Sequence, residues 1–371
     1  MPAVCFYISG HGFGHASREI EIINALQRAG APGLRILIRT SAPAWLFERT
    51  VHPPFTLLSG PTDTGIVQID SLRLDEAATV QQAGDFYASM PERAVEEARG
   101  LREHNVDLVI VDAPPLACAA AGLAGVPSIV LSNFTWDWIY EGYEAAFASR
   151  APHVLPAIRD AYASASEGWR LPLHGGFATV PKLTDLPYVA RHARHSREHV
   201  LAALCIPDNR PLVLSSFGGY GIRDFDPANL DCLDRWTVIM TGRDRPSPLP
   251  SGALFLEEAR IYEAGMRYED LVAAVDVVVT KPGYGIVSEC IANDTAMLYT
   301  SRGHFVEYEV MVAEMPSVLR CRFLDQQALF AGRWLEALDR LLASPPPPLR
   351  PDTNGAEAAA DAILRRINDF R

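Results

Sequence analysis

The chain has 371 residues, of which 49% are hydrophobic and 21% are charged, proportions typical of folded globular proteins. Its formal net charge of −12 argues against nucleic-acid binding, because binding to a phosphate backbone requires a basic face. At roughly 150 residues per domain, the length predicts two domains.

The sequence predicts neither a leader segment nor a membrane span. The first residues, PAVCFYISG, have the pattern of a strand rather than of a signal peptide. No apolar run reaches the ~18 residues of a membrane-spanning helix. The six cysteines are scattered without Cys-x-x-Cys spacing, so we expect reduced thiols and no zinc site. Together these features predict a cytoplasmic protein.

Strand-like apolar runs alternate with helical patterns in the first half of the chain. The runs predicted as strands are AVCFYISG, LRILIRT, DLVIVD and PSIVLSN, and helices are predicted near 17–28, 43–48, 91–103 and 115–124. The segment 136–166 has a helical, aromatic-rich pattern, and LPLHGG with the residues up to 194 is predicted to be a connection. Such alternation predicts a parallel, doubly wound sheet.

A second alternating series begins near residue 211. Its predicted strands are PLVLSSFGG, WTVIMTG, GALFLE, VDVVVTK, AMLYTSR and VLRCRFL, with helices near 268–274, 287–291 and 332–343. A run of four prolines precedes a last amphipathic helix, 356–370. The sequence therefore predicts an α/β protein with two Rossmann-like, doubly wound parallel-sheet domains, 1–192 and 193–371.

A glycine-rich loop, SGHGFGHASR, follows the first strand. Gly12 and Gly14 let the backbone approach a ligand closely, and the helix N-terminus behind them favours an anion. A neutral His15 at the end of a strand can accept a proton from a hydroxyl group. His11 is predicted either to contact a ligand or only to hydrogen-bond the loop, and Arg18 to pair with a phosphate or with a nearby carboxylate.

The same loop differs from the dinucleotide-binding fingerprint in two ways. His15 stands where the third glycine belongs, and the second strand, LRILIRT, does not end in an acidic residue. Both features are needed to bind a dinucleotide in the usual manner. An NAD site is therefore not expected.

A second glycine-rich turn, TKPGYGIVSE, follows a strand predicted to be buried on both faces. The N–H groups of a turn through Gly283, Tyr284 and Gly285 can cradle a diphosphate, and Lys281 can neutralise it. Glu289, early in the next helix, is predicted to accept the hydroxyls of a ribose, or else to interact only with the helix dipole.

Two further loops end strands of the second half. SSFGG contributes Ser216, Gly218 and Gly219, and RGHFVE contributes the cation Arg302 and the carboxylate Glu307. Because the carboxyl ends of parallel strands share one edge of a sheet, where such proteins bind ligands, we expect these residues to lie near the TKPGYG turn.

These motifs resemble nucleotide-sugar glycosyltransferases of the GT-B superfamily. TKPGYGIVSE is similar to the donor-binding turn of the lipid-II-forming N-acetylglucosaminyltransferases. ISGHGFGHASR, IVDAPPLACAAAGLAGVPSIVLSNFTWDWIY, TKPGYGIVSE and SRGHFVEYE resemble the glycosyltransferase-like N-terminal half of plant L-arabinokinases, over both predicted domains. The glycine- and serine-rich ATP motif of the kinase half is not found, so sugar-1-kinase activity is not implied.

The resemblance assigns roles to the predicted site residues. The pattern GxGHxxR also resembles the UDP-sugar hydrolase of pseudaminic acid synthesis, in which the histidine is the expected base, so His15 is the candidate base here. In SNFTWDWIY, Trp136 is predicted to stack on a sugar, and Asp137 to orient His15 or to bind an acceptor hydroxyl. The alternative is a packed loop with a helix-capping aspartate, and Asp112, at the end of DLVIVD, carries the same ambiguity.

The resemblance implies a metal-independent glycosyltransferase whose two domains face a cleft. The C-terminal domain would bind an NDP-sugar, with a UDP-sugar favoured, and the N-terminal domain a small-molecule or glycan acceptor. The last helix would pack back on the N-terminal domain. The NDP-sugar is a co-substrate, so no cofactor is expected. An NDP-sugar hydrolase or 2-epimerase and a non-catalytic sugar-nucleotide binding protein remain as alternatives.

Overall fold

The computed structural model describes residues 1–30, 33–218, 221–242, 245 and 248–369. The chain divides into two compact units. The first contains Met1–Val67, Asp75–Ala190 and Asp352–Arg371, and the second contains Gln68–Leu74 and Arg191–Pro351. The main division thus lies two residues before the expected boundary, and a short segment near residue 70 belongs to the second unit.

The described part of the first unit is built on a seven-stranded sheet. Its strands are β1 Ala3–Ile8, β2 Arg35–Thr40, β3 Thr56–Ser59, β4 Leu108–Asp112, β5 Ser128–Phe134, β6 Glu167–Gly175 and β7 Leu183–Asp185. They are parallel and lie in the order β3-β2-β1-β4-β5-β6-β7. Its helices are α1 Phe13–Arg28, α2 Ala44–Thr50, α3 Glu76–Ala88, α4 Met90–Glu103, α5 Pro115–Ala124, α6 Trp136–Glu141, α7 Glu144–Arg150 and α8 Val154–Ala163.

The core of this unit explains why β1 is apolar along its whole length. Every residue of β1 is buried, because helices cover both faces of a doubly wound sheet. On one face, Phe6 lies in a cluster with Ile20 of α1 and with Ile363. Ile363 belongs to the last helix, Gly355–Asp369, which packs along α1 and is therefore part of the first unit.

The described part of the second unit holds a six-stranded parallel sheet. Its strands are β8 Leu212–Ser215, β9 Thr237–Gly242, β10 Ala253–Glu257, β11 Val277–Thr280, β12 Ala296–Tyr299 and β13 Cys321–Phe323, in the order β10-β9-β8-β11-β12-β13. Its helices are α9 Arg197–Ala203, α10 Glu258–Glu263, α11 Tyr268–Ala274, α12 Tyr284–Ala292, α13 Glu307–Val318, α14 Gln326–Phe330 and α15 Leu335–Leu342. The last helix of the chain, in the first unit, is α16. The predicted α/β architecture with two parallel sheets is confirmed.

Several elements differ from the sequence-based expectation. LPLHGG was expected to be a connection, but most of it lies in β6. Pro172 has no N–H to donate to a strand partner, and the pairing with β5 shifts register between Ser132 and Phe134, so this strand lacks a regular pattern. Helix α1 begins at Phe13, four residues before the predicted start, and α3, α13 and β3 were not predicted.

Other expectations concern thiols, metals and membranes. All six cysteines are free; those at positions 5, 118, 232 and 290 are buried. Within the described residues, no group of three or more histidine, cysteine or acidic side chains is arranged to hold a metal ion. Among the helices of the described ranges, none has the length and apolar character needed to cross a membrane.

Candidate active site

The carboxyl ends of β1, β4 and β5 lie side by side in the first sheet. After β1 the chain turns at Gly12, which has φ 77° and ψ 179°, a conformation that glycine adopts far more readily than other residues. Helix α1 begins directly after this turn, so its first two turns lie over the ends of the neighbouring strands. The predicted loop residues His15 and Arg18 therefore lie on a helix.

His15 pairs with the last residue of β4. Its Nδ1 lies 2.9 Å from Oδ1 of Asp112, and the two residues are 7% and 0% exposed. A carboxylate accepts hydrogen bonds, so Nδ1 carries the proton and donates a hydrogen bond to Asp112. In this tautomer Nε2 has a lone pair and can accept a proton from a substrate.

Arg18 and Ser132 complete the surroundings of Asp112. Arg18 donates to Oδ1 of Asp112 and to Oδ1 of Asn133, and the Ser132 hydroxyl donates to Asp112 Oδ1 at 3.1 Å. Burial opposes ionisation of Asp112, but the positive charge of Arg18 and the hydrogen bonds from His15 and Arg18 hold the pKa of this carboxyl below its ordinary value. Of the two predicted partners for Arg18, the structure selects a carboxylate.

Glu19, the next residue on α1, is in the opposite situation. It is 0% exposed, and neither side-chain oxygen has a hydrogen-bond partner among the described residues. Burial, together with the negative charge of Asp112, raises the pKa of Glu19 well above its ordinary value. The surroundings therefore favour the neutral form of Glu19 and the charged form of Asp112.

Two predicted roles in SNFTWDWIY need correction. The carboxylate that orients His15 is Asp112, not Asp137, whose Oδ2 accepts a hydrogen bond from the Thr179 hydroxyl at 3.2 Å. Trp136 is only 1% exposed, and its Nε1 donates to Asp63 at 2.8 Å. An indole buried in this way has no face available to stack on a sugar.

The remaining predicted residues of this loop differ in exposure. The His11 ring packs edge-on against Trp136, with 5.7 Å between ring centroids, and lies against Gly65. Gly14 is exposed, and a methyl group added to it or to Gly12 would meet no heavy atom within 4 Å. The backbone at the start of α1 is therefore open to a ligand.

The turn between β11 and α12 carries the second group of predicted residues. Gly283 is the N-cap of α12 and Tyr284 its first residue, so Gly285 also lies in the first helical turn. The Nζ of Lys281 would lie 3.3 Å from a methyl group on Gly283, which means that the amine folds over the turn. Burial, together with the charge of Arg302, lowers the pKa of Lys281 to about 7.

The two predicted loops beside this turn end the neighbouring strands β8 and β12. Ser216 forms a hydrogen bond with the Tyr268 hydroxyl at 2.6 Å, and Gly218 has a φ of 67°. Arg302 donates to Glu307 at 2.8 Å, so this predicted cation and carboxylate pair with each other. Gly219 lies outside the described residues.

Glu289 lies on α12 and is 3% exposed. Its Oε1 accepts hydrogen bonds from two nitrogens of Arg191, one of them Nε at 2.8 Å. The guanidinium of Arg191 also lies 3.3 Å from the buried Glu269. Sequence reasoning missed Arg191 altogether, because nothing in the local sequence RHARH connects it to a residue 98 positions later.

Comparisons with known proteins agree with this architecture. No family model matches the chain. It is 28% identical to L-arabinokinase of Arabidopsis thaliana over 362 residues, which cover 96% of this chain but 34% of that protein. The chain thus spans about a third of the length of the curated relative it matches.

Solved glycosyltransferases superimpose on the chain over its whole length. The glycosyltransferase of kitacinnamycin has a TM-score of 0.60 and 17% identity, and the spinosyn rhamnosyltransferase SpnG has 0.61 and 15%; both cover 100% of this chain and 96% of their own. UGT2 of Phytolacca americana, solved with UDP-2-fluoro-glucose and pterostilbene, has 0.61 and 13% and covers 100% of this chain and 94% of its own. The chain has the GT-B fold. This shared GT-B architecture explains why its glycine turns follow parallel strands in both units.

Proposed function

We propose that this GT-B protein transfers a sugar from an NDP-sugar, with a UDP-sugar favoured, to a hydroxyl of a small-molecule or glycan acceptor. The observation that carries the proposal is the His15–Asp112 pair at the carboxyl edge of the first sheet. A buried carboxylate that fixes one histidine tautomer is the arrangement that general-base catalysis requires. The first unit then binds the acceptor and the second unit the donor.

In the proposed reaction, Nε2 of His15 takes the proton from the acceptor hydroxyl as its oxygen attacks the anomeric carbon. The new bond joins the acceptor oxygen to the sugar, and the bond between the anomeric carbon and the diphosphate oxygen breaks. The diphosphate leaves with that electron pair. Asp112 stabilises the imidazolium that forms, because its negative charge lies 2.9 Å from Nδ1.

The departing diphosphate is met by groups of the second unit. In the proposal, the N–H groups of the first turn of α12 and the amine of Lys281 bind its oxygens. Lys281 gains charge when an anion approaches, because its pKa of about 7 rises beside a phosphate. The protein thereby supplies the charge compensation itself, and the proposal requires no metal ion.

Two neighbours in fold support the nature of the donor. SpnG was solved with thymidine diphosphate, and UGT2 of Phytolacca americana with a UDP-sugar analogue. Both superimpose on the full length of this chain, SpnG with a TM-score of 0.60 and UGT2 with 0.61. A nucleoside diphosphate sugar is therefore the donor class that we infer here.

The first test is a thermal-shift screen with UDP, GDP, ADP and dTDP in the presence of EDTA. A nucleotide that binds the native protein raises the midpoint of unfolding by mass action. We expect a shift with at least one of them, and the largest with UDP. No shift with any nucleotide would overturn the donor assignment.

The second test separates the possible reactions by their products. The protein is incubated with UDP-sugars, with and without a panel of hydroxylated acceptors, and the products are identified by mass spectrometry and NMR. A new glycoside supports transfer. Free sugar formed without acceptor would identify a hydrolase, an epimeric sugar a 2-epimerase, and tight binding without turnover a binding protein.

A further inference from the structure

Arg191 links two buried carboxylates in the second unit. Two of its nitrogens donate to Oε1 of Glu289, and NH1 lies 3.3 Å from Oε2 of Glu269. Arg267 lies 3.0 Å from the other oxygen of Glu269. The four side chains therefore form a row of alternating charge, Arg267–Glu269–Arg191–Glu289, in which the carboxylates are 0% and 3% exposed.

The backbone of Arg191 is fixed to the helix that carries Glu289. Nδ2 of Asn293 donates to the carbonyl oxygens of both Arg191, at 3.0 Å, and Glu289, at 2.8 Å. Oδ1 of Asn293 accepts the N–H of Ala193 at 2.9 Å. Backbone and side chain of Arg191 are thus both held on α12, which leaves its guanidinium little freedom to move relative to Glu289.

We propose that Arg191 positions Glu289 as the acceptor of the ribose hydroxyls, and so makes the site select ribonucleotides over nucleotides that lack these hydroxyls. The proposal rests on the proposed function, because it assumes that the second unit binds a nucleoside diphosphate. It names a residue that acts through Glu289 rather than one that touches the donor.

Two physical effects support this role. The first effect is charge compensation: Arg191 forms an ion pair with the buried Glu289 carboxylate and lies 3.3 Å from that of Glu269. Burial opposes the charge of Arg191, but the carboxylates of Glu289 and Glu269 raise its pKa above the ordinary value, so the guanidinium stays charged. A carboxylate offers about four acceptor sites, and both hydrogen bonds from Arg191 go to Oε1 of Glu289.

The second effect is orientation. Nε and a terminal nitrogen of Arg191 converge on the same oxygen, which fixes the position of that oxygen of Glu289. Lysine at this position would keep the charge but could not reproduce the rigid two-nitrogen contact. A site built to bond a hydroxyl rejects an analogue without it, because the buried polar group is then left without its partner.

The test compares UDP with 2′,3′-dideoxy-UDP by isothermal titration calorimetry on the full chain. If the thermal-shift screen selects another base, the corresponding pair of that base is used. We expect wild type to bind the ribonucleotide at least roughly tenfold more tightly. Arg191→Lys should weaken ribonucleotide binding by about tenfold and leave dideoxynucleotide binding almost unchanged. The ratio of the two affinities, ribonucleotide over dideoxynucleotide, should therefore fall towards one.

Two further variants bracket this result. Glu289→Gln should remove the discrimination, because it neutralises the proposed ribose acceptor. Arg235→Lys is the matched control: Arg235 is an exposed arginine of the same unit that pairs with Asp339 at 2.8 Å, and its replacement should leave both affinities unchanged. If Arg191→Lys does not fold, Asn293→Ala removes the hydrogen bond to the Arg191 carbonyl without changing any charge. It should also lower the ratio of ribonucleotide to dideoxynucleotide affinity.

The outcomes separate this proposal from the proposed function. If Arg191→Lys weakens both ligands equally, or retains the wild-type ratio while Glu289→Gln loses it, the role of Arg191 is overturned and donor binding stands. A wild type that binds both ligands equally overturns the ribose role of Glu289 and Arg191 together. If no nucleoside diphosphate binds at all, the proposed function fails, and the role proposed for Arg191 fails with it.

Discussion

The β1–α1 turn and the β11–α12 turn are built from the same elements, but in the described part of the chain the charges at the first turn are paired with one another and the amine at the second is not. Each is a buried parallel strand, a glycine turn and a helix. At the first, the His15 imidazole and the Arg18 guanidinium share one carboxylate, Asp112. At the second, Lys281 lies over the turn, and no hydrogen-bond partner for its amine is found among the described residues.

This difference indicates two kinds of chemistry. A buried network whose charges compensate one another fixes orientation and protonation state, as a proton acceptor requires. An amine whose charge is opposed by burial and by a neighbouring arginine, as at Lys281, is stabilised only when an anion arrives. One fold element, used twice, is thus suited to proton transfer in one unit and to anion binding in the other.

The largest expected effect follows from removing the base. His15→Ala should lower the rate of sugar transfer by about 10³-fold, and Asp112→Asn by about 10²-fold, because an amide in place of the carboxylate no longer fixes the tautomer or stabilises the imidazolium. Rates are measured with saturating donor and acceptor. Nucleotide affinity should remain that of wild type, since the proposed donor contacts lie in the second unit. A His15→Ala enzyme with more than roughly a tenth of the wild-type rate would exclude His15 as the base.

The extent to which the sequence predicts this pair is instructive. His15 could be identified locally, since a histidine in a glycine loop at the end of a buried strand is a recognisable pattern. Its carboxylate could not, because Asp112 and Asp137 both follow apolar runs, and only the pairing of β1 with β4 decides between them. Trp136 was misjudged for a similar reason: whether an aromatic ring near a strand end is exposed depends on residues far away in sequence.

The elements themselves show the same limit. Strands buried on both faces are continuous apolar runs, so the order of most strands could be predicted. Helix α3, EAATVQQAGDFYA, has a weak apolar stripe, since most of its residues are polar or small, and it gave no signal of its own. Arg191 is a surface-like residue in the sequence, and it is partly buried in the structure where it pairs with Glu269 and Glu289.

A stability measurement tests whether the first network depends on mutual compensation. Arg18→Met leaves the buried Asp112 with His15 as its remaining partner capable of carrying charge, and should lower the free energy of unfolding by about 3 kcal/mol. Denaturant unfolding followed by circular dichroism measures this. Arg28→Met is the control on the same helix, since Arg28 is exposed and pairs with the exposed Glu357; such surface pairs contribute about 0–1 kcal/mol. Equal losses in the two variants would contradict the comparison.

Whereas replacing Arg18 should lower the stability of the protein, replacing Lys281 should raise it. Lys281→Met is expected to weaken nucleoside diphosphate binding by about tenfold near pH 7 and to increase stability at the same pH, because a poorly compensated amine is removed. Binding by wild type should weaken from pH 6 to pH 9, as Lys281 loses its charge through about pH 7. The wild-type minus variant difference isolates this titration from that of the ligand.

The sign of the stability effect follows from proton binding. The pKa of Lys281 is about 7 in the folded protein and 10.5 ordinarily, so the unfolded chain binds more protons between these values, and wild-type stability should rise with pH across this window. Lys182, which is exposed, is the other lysine of the chain, and Lys182→Met is the matched control. At pH 7 an amine-reactive reagent should modify Lys281 before Lys182, and UDP should protect it; the reverse order would contradict the assignment.

The smallest expected effect concerns Gly14, at the open start of α1. Alanine there would meet no neighbouring atom and is a better helix former, so Gly14→Ala should raise the free energy of unfolding by about 0.5–1 kcal/mol. The added methyl group should nevertheless reduce turnover, because it occupies the surface that a ligand would approach. Gly100→Ala, in α4 and equally unobstructed, should give the same gain in stability without loss of activity. If Gly14→Ala were also fully active, the β1–α1 turn would serve only to direct His15 towards Asp112. The contrast would then be sharper: the β1–α1 turn would hold a base, and only the β11–α12 turn would bind a ligand through its backbone.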